Sequence, residues 1–288
     1  MRATCASNRA VRWWPGPTGW TIFVRSSRPR RSTCWPAAGC CWSTASTRPR
    51  PCVSCSPRRG SARHTADVTW AGTSASVWDV STMSDQMLSD DELLRYSRQI
   101  LLKQIDVEGQ LRLKQGRVLI VGMGGLGSPV ALYLAAAGVG ELHLADFDTV
   151  DLTNLQRQIA HDTASIGQAK VDSAMARLAA INPQVSLVPH RQALDADSLA
   201  AAVQAVDLVL DCSDNFSTRE AVNVACVAAG KPLVSGAAIR LEGQLSVFDP
   251  RNVASPCYHC LYGHGSEAEL TCSEAGVVGP LVGLVGSL

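Results

Sequence analysis

Three groups of residues in this chain have the types and spacing to do chemistry. The first is Gly122-x-Gly124-x-x-Gly127, which follows the apolar run Val118 to Val121 and leads into the small-residue segment Ala131 to Ala137. That pattern reads as a buried parallel strand turning sharply into a helix, with glycines that let an anion approach the helix N-terminus. A glycine turn alone is a weak signal, but a second strand, Glu141 to Leu144, ends in Asp146, where an acid can grip a ribose. The pair indicates a nucleotide site rather than a structural turn. The second group is Asp214 and Asn215, just past the strand Leu208 to Leu210, at the strand end where α/β sheets place their ligands. The third is Cys257-x-x-Cys260, half of a zinc knuckle, with Cys272 as a further thiol.

The elements that must position these groups alternate. Ser89 and Glu92 form a capping signal for a helix carrying Leu93, Leu94, Tyr96, Ile100 and Leu101, with Arg95 and Arg98 between them. A short helix over Val107 to Lys114 leads to the glycine strand. Beyond Asp146 comes a polar, irregular loop. A helix then spans Lys170 to Ile181 and is ended by Asn182-Pro183. Strands are expected at Val185 to Val188, Leu208 to Leu210 and from Leu233, with Leu245 to Phe248 continuing the sheet in an antiparallel sense. Helices are expected at Ser198 to Ala205 and Thr218 to Ala229. The order implies a doubly wound, Rossmann-like α/β fold, mainly parallel, with helices on both faces. The small apolar tail Val277 to Leu288 reads as the first half of a helix, cut off so that a sheet face is left uncovered.

The 288 residues divide sharply by composition. Residues 1–83 hold 12 Arg, no Lys and only Asp67 and Asp79 as acids, a net charge of +10, against −9 for the remainder. All seven Trp lie in this arm, and so do Cys52 and Cys55. It shows no helical or strand periodicity. Its longest apolar run, Ile22 to Val24, is too short for a secretion signal or a membrane span. A nucleic-acid arm, a disulfide set and a metal half-site at Cys52 and Cys55 are the alternatives; we favour disorder or a mis-assigned start, with Met83 or Met87 opening the protein proper. The domains are then 1–83, an extension, and 84–288, the folded unit.

From Ser89 onward the strings RYSRQI, GMGGLG, DFDTVDLTNLQRQ, GQAKV, DCSDN, SGAAI and PCYHC occur in the order seen in the HesA/MoeB/ThiF family of activating enzymes for ubiquitin-like sulfur carriers. The chain resembles that family over about 200 residues, most closely its molybdopterin-synthase branch. The resemblance implies a cytoplasmic homodimer that uses ATP and Mg²⁺ to adenylate the C-terminal glycine of a MoaD-like carrier, with no nucleic acid and no membrane involved. By the same resemblance Gly125 lets the nucleotide lie close to the backbone, Asp146 holds the ribose, and Asn154, Arg157 and Lys170 contact the phosphates. Asp214 carries Mg²⁺ with Asn215 assisting, and Arg98 reaches the neighbouring subunit's site. Cys272 corresponds to a thiol that some relatives use covalently; Cys212 and Cys226 read as core residues. Other outcomes are a ThiS-type carrier, an NAD-dependent oxidoreductase, which the glycine turn and Asp146 alone would permit, or a non-catalytic carrier-binding module. One departure stands out. The family closes a structural Zn²⁺ site with two Cys pairs, and this sequence supplies only Cys257 and Cys260, so the chain is expected to be truncated and poor in zinc.

Overall fold

The computed structural model describes residues 9–16, 19–26, 87–263 and 276–288. Its elements are β1 (Arg9–Gly16), β2 (Gly19–Ser26), α1 (Asp90–Arg95), α2 (Ser97–Ile100), α3 (Asp106–Gln115), β3 (Arg117–Val121), α4 (Gly127–Ala137) and β4 (Glu141–Ala145). Then follow α5 (Lys170–Ile181), β5 (Ser186–His190), α6 (Ala196–Ala205), β6 (Leu208–Asp211), α7 (Phe216–Ala229), β7 (Leu233–Ile239), β8 (Glu242–Phe248), α8 (Tyr258–Tyr262) and α9 (Gly279–Ser287).

The strands form one sheet in the order β2-β1-β8-β7-β6-β3-β4-β5. From β7 to β5 every pairing is parallel, and β8 runs antiparallel to β7. After the exposed Arg117, β3 is apolar from Val118 to Val121 because both of its faces are covered there. Val118 and Ile120 pack with Ala131, Ala135, Val171 and Leu178 of α4 and α5. Leu119 and Val121 pack with Leu199, Val203, Val222 and Cys226 of α6 and α7. Leu119 and Ile120 are fully buried on opposite faces, and each contributes roughly 2 kcal/mol by leaving water. The chain winds outward from β3 to β4 and β5, then returns to β6 on the other side. The strand order therefore reverses between β3 and β6, and a crevice opens at their carboxyl ends.

The capping box at Ser89 forms as expected, Glu92 N donating to Ser89 Oγ at 3.3 Å and Ser89 N to Glu92 Oε2 at 2.7 Å. The single helix expected there is in fact two, broken at Tyr96, which is drawn into the core. The Tyr96 hydroxyl accepts from Asn182 Nδ2 at 2.8 Å, and Asn182 Nδ2 also donates to the Ala135 carbonyl at 2.8 Å. This contact ties the N-terminal helices to α4 and to the end of α5. β5 begins one residue later than expected and continues through Pro189, which is tolerated because β5 is an edge strand.

Two further expectations are corrected. The apolar tail does not leave the sheet bare: α9 lays Leu281, Val282 and Val285 against Leu126, with Val285 also over Gly236 of β7 and Gly243 of β8. In residues 1–83, where the sequence shows no strand periodicity, β1 and β2 pair antiparallel, and β1 meets β8 at Arg12↔Glu242. The β-forming run Trp20 to Val24 lies within β2.

Gly138 has a φ of +82°, and a Cβ there would lie 2.4 Å from Tyr96 Cζ. Gly138→Ala is expected to cost about 2 kcal/mol in urea unfolding, from strain and from displacement of Tyr96.

Candidate functional site

The glycine turn is the hub of the crevice: the end of β6 approaches it at Gly122, the Arg157 stem and α9 at Gly125, and Asp146 at Met123 N. Gly122 has a φ of +95°, and a Cβ there would lie 2.8 Å from the Cys212 carbonyl oxygen and 3.2 Å from Ser213 N. Only glycine lets the end of β3 lie this close to the end of β6, which places Asp214 beside the turn. At Gly125 a Cβ would lie 3.2 Å from Arg157 Cγ and 2.7 Å from Val282 Cγ1. The Arg157 stem and α9 thus lie directly on the turn. The third neighbour is Asp146.

Asp146 follows β4 by one residue, as Gly122 follows β3, and the parallel pair Val121↔Ala145 sets the two side by side. Its Oδ2 accepts from Met123 N and its Oδ1 from Asp148 N, both at 2.8 Å. Burial pushes the Asp146 carboxyl above the usual carboxylate range, while the nearby Lys170 ammonium and the two backbone donors pull it back. Lys170, buried at the start of α5, places Nζ 4.0 Å from Asp146 Oδ2 and 2.7 Å from Asp148 Oδ2. Asp148, absent from the sequence-based set, is therefore the nearer of the two acids that Lys170 pairs with.

The polar loop after Asp146 folds into two 3₁₀ turns, Leu152–Asn154 and Thr163–Ser165. The first presents Asn154 and Arg157 together: Arg157 Nη2 donates to Asn154 Oδ1 at 3.0 Å and Nη1 to the Thr153 carbonyl at 3.2 Å. The loop returns beneath the turn with His161, which the sequence reading missed. Nothing in the spacing marks it, since its role depends on the loop doubling back.

At the end of β6, Asp211 is buried and its carboxylate accepts from the hydroxyls of Ser213 (2.6 Å) and Ser235 (2.7 Å). It is a structural acid. Asp214, three residues on, is exposed. The N-cap of α7 is Asn215, whose Oδ1 accepts from Thr218 N at 2.8 Å, so capping does not occupy Asp214. Arg219, also missed, donates to the Ser213 carbonyl at 2.6 Å. Burial would lower its pKa, but the charges of Asp211, Tyr258 and Asp214 raise it overall.

The remaining candidates stand apart. Arg98 is exposed on α2 beside exposed Leu101 and Leu102. Cys257 and Cys260 bring their Sγ atoms to 3.4 Å at the start of α8, and among the described residues no third His, Cys, Asp or Glu converges on them as a metal set. A tetrahedral zinc site takes four ligands, and the described residues supply two thiols here. Cys272, Cys52, Cys55 and Met83 lie outside the described residues. Cys226 and Cys212 belong to the two main cores, and burial pushes the Cys226 thiol up to about 12.

The sequence profile of the ThiF family matches residues 96–288. The molybdopterin-synthase adenylyltransferase of Escherichia coli (strain K12) is 55% identical over 201 residues, 70% of this chain and 80% of that relative. The sulfur carrier protein ThiS adenylyltransferase of the same organism is 48% identical over 201 residues, with the same two coverages. Among solved structures, that of selenomethionine-labelled PaaA superposes with a TM-score of 0.56 at 27% identity, covering 73% of this chain and 67% of its own.

The pairing of Lys170 with Asp146 has a pH signature. Asp146 has a folded pKa above its unfolded value of about 3.9, so its protonated form favours folding. That contribution is present at low pH and is lost as pH rises through the folded pKa. Lys170 limits the loss. Lys170→Met is expected to destabilise the chain by about 3 kcal/mol at pH 8 and by less at pH 5, because the protonated form of Asp146, favoured as pH falls, needs no cation beside it. Urea unfolding at the two pH values checks this, and an equal or larger penalty at pH 5 would contradict it.

Proposed function

The chain belongs to the ThiF family, and on that premise we propose that it is an ATP-dependent adenylyltransferase acting on the C-terminal glycine of a ubiquitin-like sulfur carrier of the MoaD type, in molybdenum-cofactor synthesis. The observation that carries the reading is the convergence on one glycine turn of a ribose-type acid, Asp146, two cations, Arg157 and Lys170, and the exposed carboxylate of Asp214. A dinucleotide oxidoreductase needs no such triphosphate cluster, and family membership sets that alternative aside. The 55% identity with a molybdopterin-synthase adenylyltransferase over 80% of its length supports the carrier assignment. The 48% match to a ThiS adenylyltransferase keeps a thiamine-type carrier as the second reading.

In the reaction, the carrier's terminal carboxylate attacks the α-phosphate of ATP and pyrophosphate leaves, joining two anions. The protein's task is therefore to neutralise and align rather than to form bonds itself. Asp146 holds the ribose hydroxyls, and the turn lets the phosphates lie against backbone at Gly125. Arg157, steadied by Asn154, and Lys170 offset charge on the triphosphate. Asp214 suits Mg²⁺, which takes one or two carboxylates together with phosphate oxygens; Asn215 orders the backbone beside it. Zn²⁺ would be structural, held by Cys257 and Cys260 with ligands from outside the described residues, and no step depends on it. The enzyme works as a cytoplasmic homodimer, with Arg98 completing the neighbouring subunit's site.

The test is carrier-dependent exchange of labelled pyrophosphate into ATP. Exchange with a MoaD-like carrier is expected, exchange only with a ThiS-like carrier favours the second reading, and silence with every carrier refutes both. Asp214→Ala should abolish exchange without moving the thermal unfolding midpoint; retained exchange removes Asp214 from the metal role. Arg98→Ala should also be inactive. If Arg98 acts across a dimer, mixing the Arg98→Ala and Asp214→Ala proteins restores part of the exchange, because a mixed dimer holds one intact composite site. No recovery in mixtures shown to exchange subunits would overturn the trans role.

A further inference from the structure

Met123, inside the glycine turn, has both of its backbone groups held by side chains. Its N–H donates to Asp146 Oδ2 at 2.8 Å, and its carbonyl lies 3.0 Å from His161 Nε2. On the other side of the imidazole, Nδ1 lies 2.9 Å from Ser173 Oγ on α5. A carbonyl can only accept, so Nε2 carries the proton; the Ser173 hydroxyl then donates to Nδ1. His161 is buried. Burial holds its pKa below the usual histidine range and Lys170 pushes the same way, against the Met123 hydrogen bond and the charges of Asp146 and Asp162. The neutral imidazole needs no counterion in this position.

The consequence lies one peptide further along. A trans peptide is planar, and its N–H points opposite to its C=O. With the Met123 carbonyl held toward His161, the Gly124 N–H is turned the other way, and it donates to nothing among the described residues. Gly124 also has no side chain to shield that N–H, which is left available to an anion at the mouth of the crevice.

We propose that His161 is a positioning residue for ATP: its Nε2–H fixes the Met123–Gly124 peptide so that the Gly124 N–H is presented to a nucleotide phosphate. This rests on the adenylyltransferase reading above. Asp146 alone does not achieve the same end, because it holds the preceding peptide and leaves the Met123 carbonyl free to turn.

ATP binding in the presence of Mg²⁺, measured by equilibrium dialysis without carrier, tests the proposal on the full chain. His161→Leu should weaken binding about tenfold, the scale of one well-placed hydrogen bond lost at a buried site. His161→Gln, whose side-chain Nε2 can reach the same carbonyl, should stay within about threefold of the parent. Parental affinity in His161→Leu overturns the proposal, and so does a His161→Gln protein as weak as His161→Leu. A purely structural histidine would lower the unfolding midpoint in both variants without separating their ATP affinities. If His161→Leu does not fold, the decision passes to His161→Gln and to ¹⁵N spectra of the histidine-labelled parent. Those spectra should show the Nε2–H tautomer with an acceptor Nδ1; the Nδ1–H tautomer overturns the proposal. A parent that binds ATP but shows no carrier-dependent exchange strikes the functional reading alone. A parent that binds no ATP overturns both.

Discussion

A carboxylate buried beneath a backbone turn is the constraint on which the site depends. Asp146 leaves water to accept the Met123 and Asp148 N–H groups at 2.8 Å, and desolvation works against its charge. The position is dictated by the sheet. β3 and β4 run parallel and in register through Val121↔Ala145, so the residue after each strand emerges at the same level. The turn and the acid that holds it are thus delivered together by backbone hydrogen bonding, including Gly122 N to the Ala145 carbonyl at 2.8 Å. Lys170, 4.0 Å away in a setting where solvent screens little, works against desolvation and favours the charged form.

The cations around the turn share a common arrangement. Each has an acceptor within the chain. Lys170 pairs with Asp148, a half-exposed carboxylate. Arg157 rests on a carbonyl and an amide oxygen. Such partners keep the side chains oriented without neutralising them as strongly as a phosphate would. Asp211 shows the opposite design: its oxygens are satisfied by two hydroxyls and a backbone N–H, and it is closed to any ligand. Two acids three residues apart on one strand end, Asp211 and Asp214, thus differ in role through burial.

Much of this was legible in the order of residues. β3, α5 and the run of parallel strands follow from hydrophobic periodicity, and Asn182-Pro183 stops α5 where it was expected to stop. The capping box at Ser89 is a local device and forms as written. The break at Tyr96 was not legible, because it arises from contacts with Gly138 and Asn182, residues far along the chain. Nor was the seat of α9: an apolar tail shows that it must be buried but does not say against what. Asp148 and His161 escaped for the same reason. Their partners, Lys170 and Met123, are 22 and 38 residues away.

By itself, the sequence determined the period and polarity of each element, the caps that start them, and the set of charged residues at the strand ends. These are local properties, decided by side-chain chemistry and backbone sterics over a few residues. Tertiary structure decided which of those charges face one another, which acid is sealed and which is open, and how the Met123 peptide is turned. Those outcomes depend on distance and desolvation, and both exist only once the sheet has brought distant segments within a few ångströms.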